Sequence, residues 1–267
     1  MLRDLRFRRS EAIRAVLAAA LLLGTAGCAS TLEREAEAER NAKRANSHFN
    51  IAVDHQENGR VELALRELLT AYRLEPENPK ILHALGITYL QKGKEEEAER
   101  YMKQALAVRP DYQEARYNLS TLYMRQGRNE DCIAQSRILY DDPTFTQPWR
   151  ALTNWGWCSH QQGELEEARR RLELALDYNA RYWPTLLNLG ILEAEQRNKM
   201  EAIGYFERVL ALEPDASTTA EANYRLGEIF VSIGKREQAL EVLKTAVVKA
   251  PSDPWGKKSE EYLKLLR

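Results

Sequence analysis

The apolar pattern along the chain repeats. Leu85-Gly86, Trp155-Gly156, Leu189-Gly190 and Leu226-Gly227 each set a large apolar residue before Gly. Twelve residues after each Gly stands Ala, at Ala98, Ala168, Ala202 and Ala239. Two weaker copies use Ile51-Ala52 with Ala64, and Leu119-Ser120 with Cys132. The small residues at 52, 86, 120, 156, 190 and 227 are spaced by 34, 34, 36, 34 and 37. Tyr89, Tyr123 and Phe230 follow three places after the small residue, and Leu68, Met102, Leu172, Phe206 and Leu243 form a second apolar line. Gly59, Gly93, Gly127, Gly163 and Gly234 sit between the halves of five units. Pro76, Pro110, Pro214 and Pro251 close units, with Pro143 one place early. This punctuation predicts two helices per unit. The Gly ends the first helix in a left-handed cap, and the Pro stops the second and opens the next unit. The small residue and the Ala let the two helices approach closely.

The six units, at 45–78, 79–112, 113–148, 149–182, 183–219 and 220–253, resemble the tetratricopeptide repeat. The resemblance implies an all-α fold, a right-handed superhelix (an α-solenoid) of twelve helices. Single units of this kind cannot bury their apolar faces, and stacking makes one core. Pro254-Trp255 then opens a last amphipathic helix over 254–267, with Tyr262, Leu263, Leu265 and Leu266 apolar. It reads as a capping helix over the exposed end. Composition agrees. Hydrophobic residues make up 44% and charged residues 30%, with 9 Pro and 13 Gly, too apolar for a disordered chain and too poor in Gly and Pro for an all-β fold.

The first residues break the pattern. Arg3, Arg6, Arg8, Arg9 and Arg14 face only Asp4 and Glu11, and an apolar run follows from Ala15 to Leu23. A basic start, a short apolar run and small residues describe a secretory signal over 1–27. The run is too short to span a bilayer, which takes about 20 apolar residues. Ala26-Gly27-Cys28 resembles a bacterial lipobox, with Thr25 where that pattern usually has Leu. The resemblance implies cleavage before Cys28 and acylation of that Cys, and Ala29 in place of Asp implies sorting to the outer membrane. An ordinary signal peptide cut near Ala29 or Ser30 is the alternative. Residues 28–44 then form a lipidated Cys and a charged stretch, a solvated tether or a frayed helix leading from the anchor. Removing this basic leader turns the formal net charge of −1 more acidic. Neither value gives a basic field, so no nucleic-acid partner is expected.

No catalytic signature stands out. There is no Gly-rich phosphate loop, no Gly-x-Ser-x-Gly and no His-Glu-x-x-His. His48, His55, His83 and His160 lack a completing Cys or acid, so no metal site is expected, and no cofactor beyond the covalent lipid on Cys28. The expected class is a non-enzyme without a small-molecule substrate. Cys132 lies in the second helix of unit three, and Cys158 in the first helix of unit four. In this repeat those helices are packed neighbours, and an exported chain meets an oxidising compartment. A Cys132–Cys158 disulfide is therefore expected. Two buried free thiols are the alternative.

The resemblance also places a groove. In tetratricopeptide arrays the first helices line an inner face, and places 2, 5, 6, 9 and 12 of each unit point into it. Phe49, His83, Tyr117 and Tyr224 stand at place 5, and Asn50, Asn118, Asn154, Asn188 and Arg225 at place 6. Ile87, Trp157 and Ile191 stand at place 9. Amides offer both donor and acceptor to a peptide backbone, and aromatic residues make binding hot spots. The same Asn residues could instead serve only to pack the helices.

Lipobox, unit number, size and Cys pair together are similar to the type IV pilus biogenesis lipoproteins, the PilF/PilW/Tgl-type pilotins. That resemblance implies an anchor on the periplasmic face of the outer membrane. It also implies a protein partner, the type IV pilus secretin, which the lipoprotein would localise and help to multimerise. The alternative is a periplasmic adaptor docking other envelope proteins, such as peptidoglycan hydrolases, through the same groove.

Overall fold

In the computed structural model, which describes residues 33–266, helix follows helix with only short turns between them. Helix α1 spans 33–57. It is followed by α2 Val61–Leu74, α3 Pro79–Gln91, α4 Glu95–Val108, α5 Gln113–Arg125, α6 Asn129–Tyr140 and α7 Pro148–Gln161. Then come α8 Leu165–Tyr178, α9 Trp183–Glu195, α10 Lys199–Leu210, α11 Ala216–Ser232, α12 Arg236–Lys249 and α13 Pro254–Leu265. No strand occurs among the described residues. The leader over 1–27 and the lipidation residue Cys28 lie outside the described residues.

The sixteen-residue step from small to large residue becomes a contact inside each helix pair. A Cβ built on Gly86 would lie 2.8 Å from Met102 Cγ, on Gly156 2.7 Å from Leu172 Cγ, and on Gly190 2.7 Å from Phe206 Cε1. Gly227 meets Leu243 Cδ2 in the same way, at 2.7 Å. These approaches leave no room for a side chain on the first helix. Met102, Leu172, Phe206 and Leu243 are fully buried as a result.

The turns follow the same logic. Gly93 adopts φ +69°, and the amide of Lys94 reaches back to the Tyr89 carbonyl at 2.9 Å. This is the bond that closes a helix with a left-handed residue after its end. Unit five has no Gly at the equivalent place. Arg197 takes φ +65° there, and Asn198 N still bonds the Glu193 carbonyl at 2.9 Å. First helices start on side-chain caps at three places. Asn78 accepts from Lys80 N and Ile81 N, Asp215 from Thr218 N, and Asp253 from Trp255 N. The Asp215 cap sets the start of α11 at Ala216, four residues before the unit boundary read from the repeat spacing.

The chain divides after Pro110 into two units. The first holds α1 to α4. Here α1 is already helical at residue 33, the first described one, so residues 33–44 of the charged stretch are helical and continuous with the first repeat helix. Its residues 33–40 are all exposed, and Glu39 pairs with Lys43 at 2.6 Å one turn on. The second unit holds α5 to α13. Each of these helices packs on the next, and α7 also packs on both α5 and α9. First helices thus stand side by side and form an inner row. Beside that row, Cys132 of α6 and Cys158 of α7 are both fully buried and joined as a disulfide, with Cα atoms 6.5 Å apart.

Candidate functional site

The inner row of the second unit carries eight of the expected groove residues: Tyr117, Asn118, Asn154, Trp157, Asn188, Ile191, Tyr224 and Arg225. Phe49, Asn50, His83 and Ile87 belong to the first unit. There, Asn50 is exposed on α1, Phe49 is half-buried, and His83 and Ile87 are half-buried on α3. The first unit is braced by Gln56, which donates to Thr88 Oγ1 at 2.8 Å, and by His48 Nδ1 against Glu67 Oε2 at 2.7 Å. The hydrogen bond to His48 holds the Glu67 carboxyl below its ordinary range.

The four amides at place 6 do not form one ladder. Asn154 is 5% exposed, and its Nδ2 donates to Ser120 Oγ at 2.9 Å and to Thr121 Oγ1 at 3.0 Å. Both amide protons are spent on tying α7 to α5. Its neighbour Thr153 ties α7 forward, to Thr185 Oγ1 on α9 at 2.6 Å. Asn188 is half-buried on α9, and its amide makes no hydrogen bond among the described residues. It is available to a visitor in a way that Asn154 is not. Asn118 is half-buried on α5.

Apolar surface lies beside them. Ile191 is buried, and Trp157 packs on the cluster that contains Ile191, Leu187 and Phe206. The Trp157 ring is 5.3 Å from the ring of His160, whose Nε2 meets Glu195 Oε2 at 2.6 Å. Tyr224 and Arg225 are engaged by the last helix. The Tyr224 ring sits 5.5 Å from Trp255 and 6.2 Å from Tyr262 of α13. Burial, with the Glu228 carboxylate beside it, pushes the Tyr224 phenol up to about 12. Arg225 is bound to Glu221 at 2.8 Å and lies over the Trp255 ring. Helix α13 therefore covers this end of the inner row.

Two residues missed at the sequence level complete the site. Arg150 of α7 lies with its guanidinium 3.8 Å from the centre of the Tyr117 ring. Tyr182, just before α9, joins both. Burial and the Tyr117 hydroxyl, opposed by Arg150, push the Tyr182 phenol up to about 12. Arg150 stands at place 2 of its unit, one of the inward places, so its number in the repeat was a usable signal. Tyr182 precedes its helix and has no such register.

The arrangement offers hydrogen-bond donors, aromatic faces and an apolar strip. Among the described residues no group of three or more His, Cys, Asp or Glu could hold a metal ion. No helix among them is long and apolar enough to cross a membrane.

The tetratricopeptide-repeat family matches residues 43–111, 93–155 and 187–254. The chain is built of tetratricopeptide repeats. Among solved structures, PilW, a widely conserved type IV pilus biogenesis factor, superposes with a TM-score of 0.71 at 21% identity, over 80% of this chain and 97% of that one. PilF of Pseudomonas aeruginosa gives 0.68 at 16% identity, over 83% and 99%. A tetratricopeptide-repeat protein of Parabacteroides merdae gives 0.67 at 20%, over 83% and 84%. No curated protein matches the sequence. At these identities the likeness is one of fold. The repeat matches leave out the stretch between 155 and 187. It nevertheless folds as the second half of α7 and the whole of α8, with Gly156 against Leu172, and it holds Trp157 and Cys158.

Proposed function

We propose that this chain is an outer-membrane lipoprotein of the pilotin type. It is acylated on Cys28 and held on the periplasmic face of the outer membrane. With the inner face of its repeats it captures the type IV pilus secretin, and it promotes placement and multimerisation of that partner. The mechanism is capture and positioning, without bond chemistry. One observation carries this reading: the likeness to PilW and PilF runs over 97% and 99% of those chains, so whole repeat arrays correspond rather than a shared pair of helices. Support comes from the Ala26-Gly27-Cys28 sequence, whose acyl chains would contribute about 0.8 kcal/mol per buried CH₂. The partner-facing surface is the one with unspent groups, Asn188, Trp157 and the Arg150 cluster.

Deletion of the gene tests the proposal. Detergent-resistant secretin multimers and surface pili should both be lost. Restoring the chain with Cys28→Ser should leave the secretin made but not assembled in the outer membrane. Normal multimers in the deletion strain would remove the reading.

A further inference from the structure

Arg150 holds a charge that the fold does not neutralise. Several other arginines of the second unit have acids: Arg225 has Glu221, Arg169 has Glu193 and Arg171 has Glu167. Arg150 is half-buried on the inner row, and no carboxylate pairs with it among the described residues. What holds it is neutral. Its Nη1 donates to Gln147 Oε1 at 2.9 Å, its guanidinium lies over the Tyr117 ring at 3.8 Å, and the Tyr182 phenol stands beside it. Withdrawing a guanidinium from water without a counter-charge is costly. Its place over the Tyr117 ring and its bond to Gln147 fix its direction, leaving the rest of its planar fork of donors open. Such a fork fits a carboxylate, which it can bind through two parallel hydrogen bonds.

We propose that Arg150 takes the carboxylate of an Asp or Glu side chain in the segment that the inner face captures, an inference that rests on the capture reading above. The acid belongs to a segment that runs through the site. The inner row continues on both sides of Arg150, to Tyr117 and Thr121 on α5 and to Trp157 and Ile191 on α7 and α9. A chain ending at Arg150 would leave one side bare. Trp157 lies seven residues beyond Arg150 on the same helix, about 10 Å along the axis. An extended segment rises about 3.3 Å per residue. The segment therefore presents an acid and, about three positions away, a large apolar side chain for Trp157.

The test selects displayed peptides, fused at both ends, on the full chain. Enriched sequences should carry Asp or Glu two to four places from an apolar residue. Amidated synthetic peptides then compare Glu with Gln at that place by fluorescence anisotropy. On the unaltered protein, Glu→Gln should raise Kd about 10- to 100-fold, the range for hydrogen bonds to charged groups. On Arg150→Gln the two peptides should bind alike, and Arg150→Lys should keep part of the difference. Selection without an acid, or equal discrimination by unaltered protein and Arg150→Gln, overturns the proposal. Because the Glu/Gln comparison on the unaltered protein needs no variant, a poorly folded Arg150→Gln would not shelter it. Selection of no peptide at all would strike the capture reading itself.

Discussion

Replacing Arg169 by Met should expose how the fourth and fifth repeats are joined. Glu193 of α9 is 2% exposed, and its carboxylate faces Arg169 of α8. Asn198 Nδ2 donates to the same carboxylate at 2.7 Å, and Arg169 Nη2 also donates to Gln196 Oε1 at 2.9 Å. Burial raises the Glu193 carboxyl, but the hydrogen bonds from Arg169 and Asn198 outweigh it and leave the group below its ordinary value. A group depressed in this way stabilises the fold above its unfolded-state value, and that stabilisation is lost as pH falls through the folded one. Without Arg169 the burial is unopposed except by Asn198, and the sign reverses. Glu193 would then prefer to be neutral, and its penalty at neutral pH would be relieved by acid. Removing one partner of a buried pair costs about 3–5 kcal/mol. Urea unfolding at pH 7.5 should show a loss of that order in Arg169→Met, and the gap to the unaltered protein should narrow at pH 5. Arg169→Met with Glu193→Leu should recover most of the loss, because the apolar pair leaves no charge behind. A loss below about 1 kcal/mol, as for an exposed pair, or a gap that does not change with pH, would refute the reasoning.

Other outcomes follow from single contacts. Gly190→Ala should destabilise by about 1–3 kcal/mol, because its Cβ would press on Phe206, whereas Gly204→Ala, with nothing within 4 Å, should gain about 0.5–1 kcal/mol; thermal melts of the two separate packing from helix propensity. Arg197→Gly should raise Tm, since a left-handed conformation costs a non-glycine residue about 1–2 kcal/mol; an unchanged or lower Tm counts against that strain. Cys132→Ala with Cys158→Ala should cost about 2–4 kcal/mol by the same unfolding assay, and mass spectrometry of the unreduced protein should find neither thiol alkylatable. Asn154→Ala should lower stability by about 1–3 kcal/mol, through the Ser120 and Thr121 hydroxyls it leaves behind, while Asn188→Ala should leave the melt unchanged and weaken partner binding in a pull-down.

The helices were legible because the repeat writes them in residue size. Gly86 with Met102, and Gly190 with Phe206, announce a helix pair wherever a small and a large residue stand sixteen apart, since only that combination allows the approach seen. Unit five shows how far this goes. It lacks the turn glycine, yet Arg197 adopts the turn and Asn198 N still closes it on the Glu193 carbonyl. What the pattern did not carry was the pairing of polar residues between units. Arg150 meets Tyr117 and Tyr182, 33 residues before it and 32 after it. No local spacing encodes such a meeting. The polar start of α1 was left open between tether and helix for the opposite reason: a helix with no apolar face gives no periodic signal.

The inner face makes the general point. A repeat places equivalent residues at equivalent angles, and it is tempting to give them one function. Asn154 and Asn188 share place 6 and differ in what the preceding unit sets against them. Before Asn154 stand Ser120 and Thr121, two hydroxyls within 3.0 Å that consume its donors. The matching places before Asn188 hold Gly156 and Trp157, which offer no side-chain acceptor, so its amide stays open. Tyr224, at place 5, loses its freedom to Trp255 and Tyr262 of the helix that follows. Whether an inward residue packs the array or binds a partner is thus decided by its neighbours one unit away. On this reasoning the proposed binding surface lies in the middle of the second unit, from Tyr117 and Arg150 to Asn188. There the neighbouring units supply aromatic rings and neutral hydroxyls, and no carboxylate pairs with the guanidinium among the described residues.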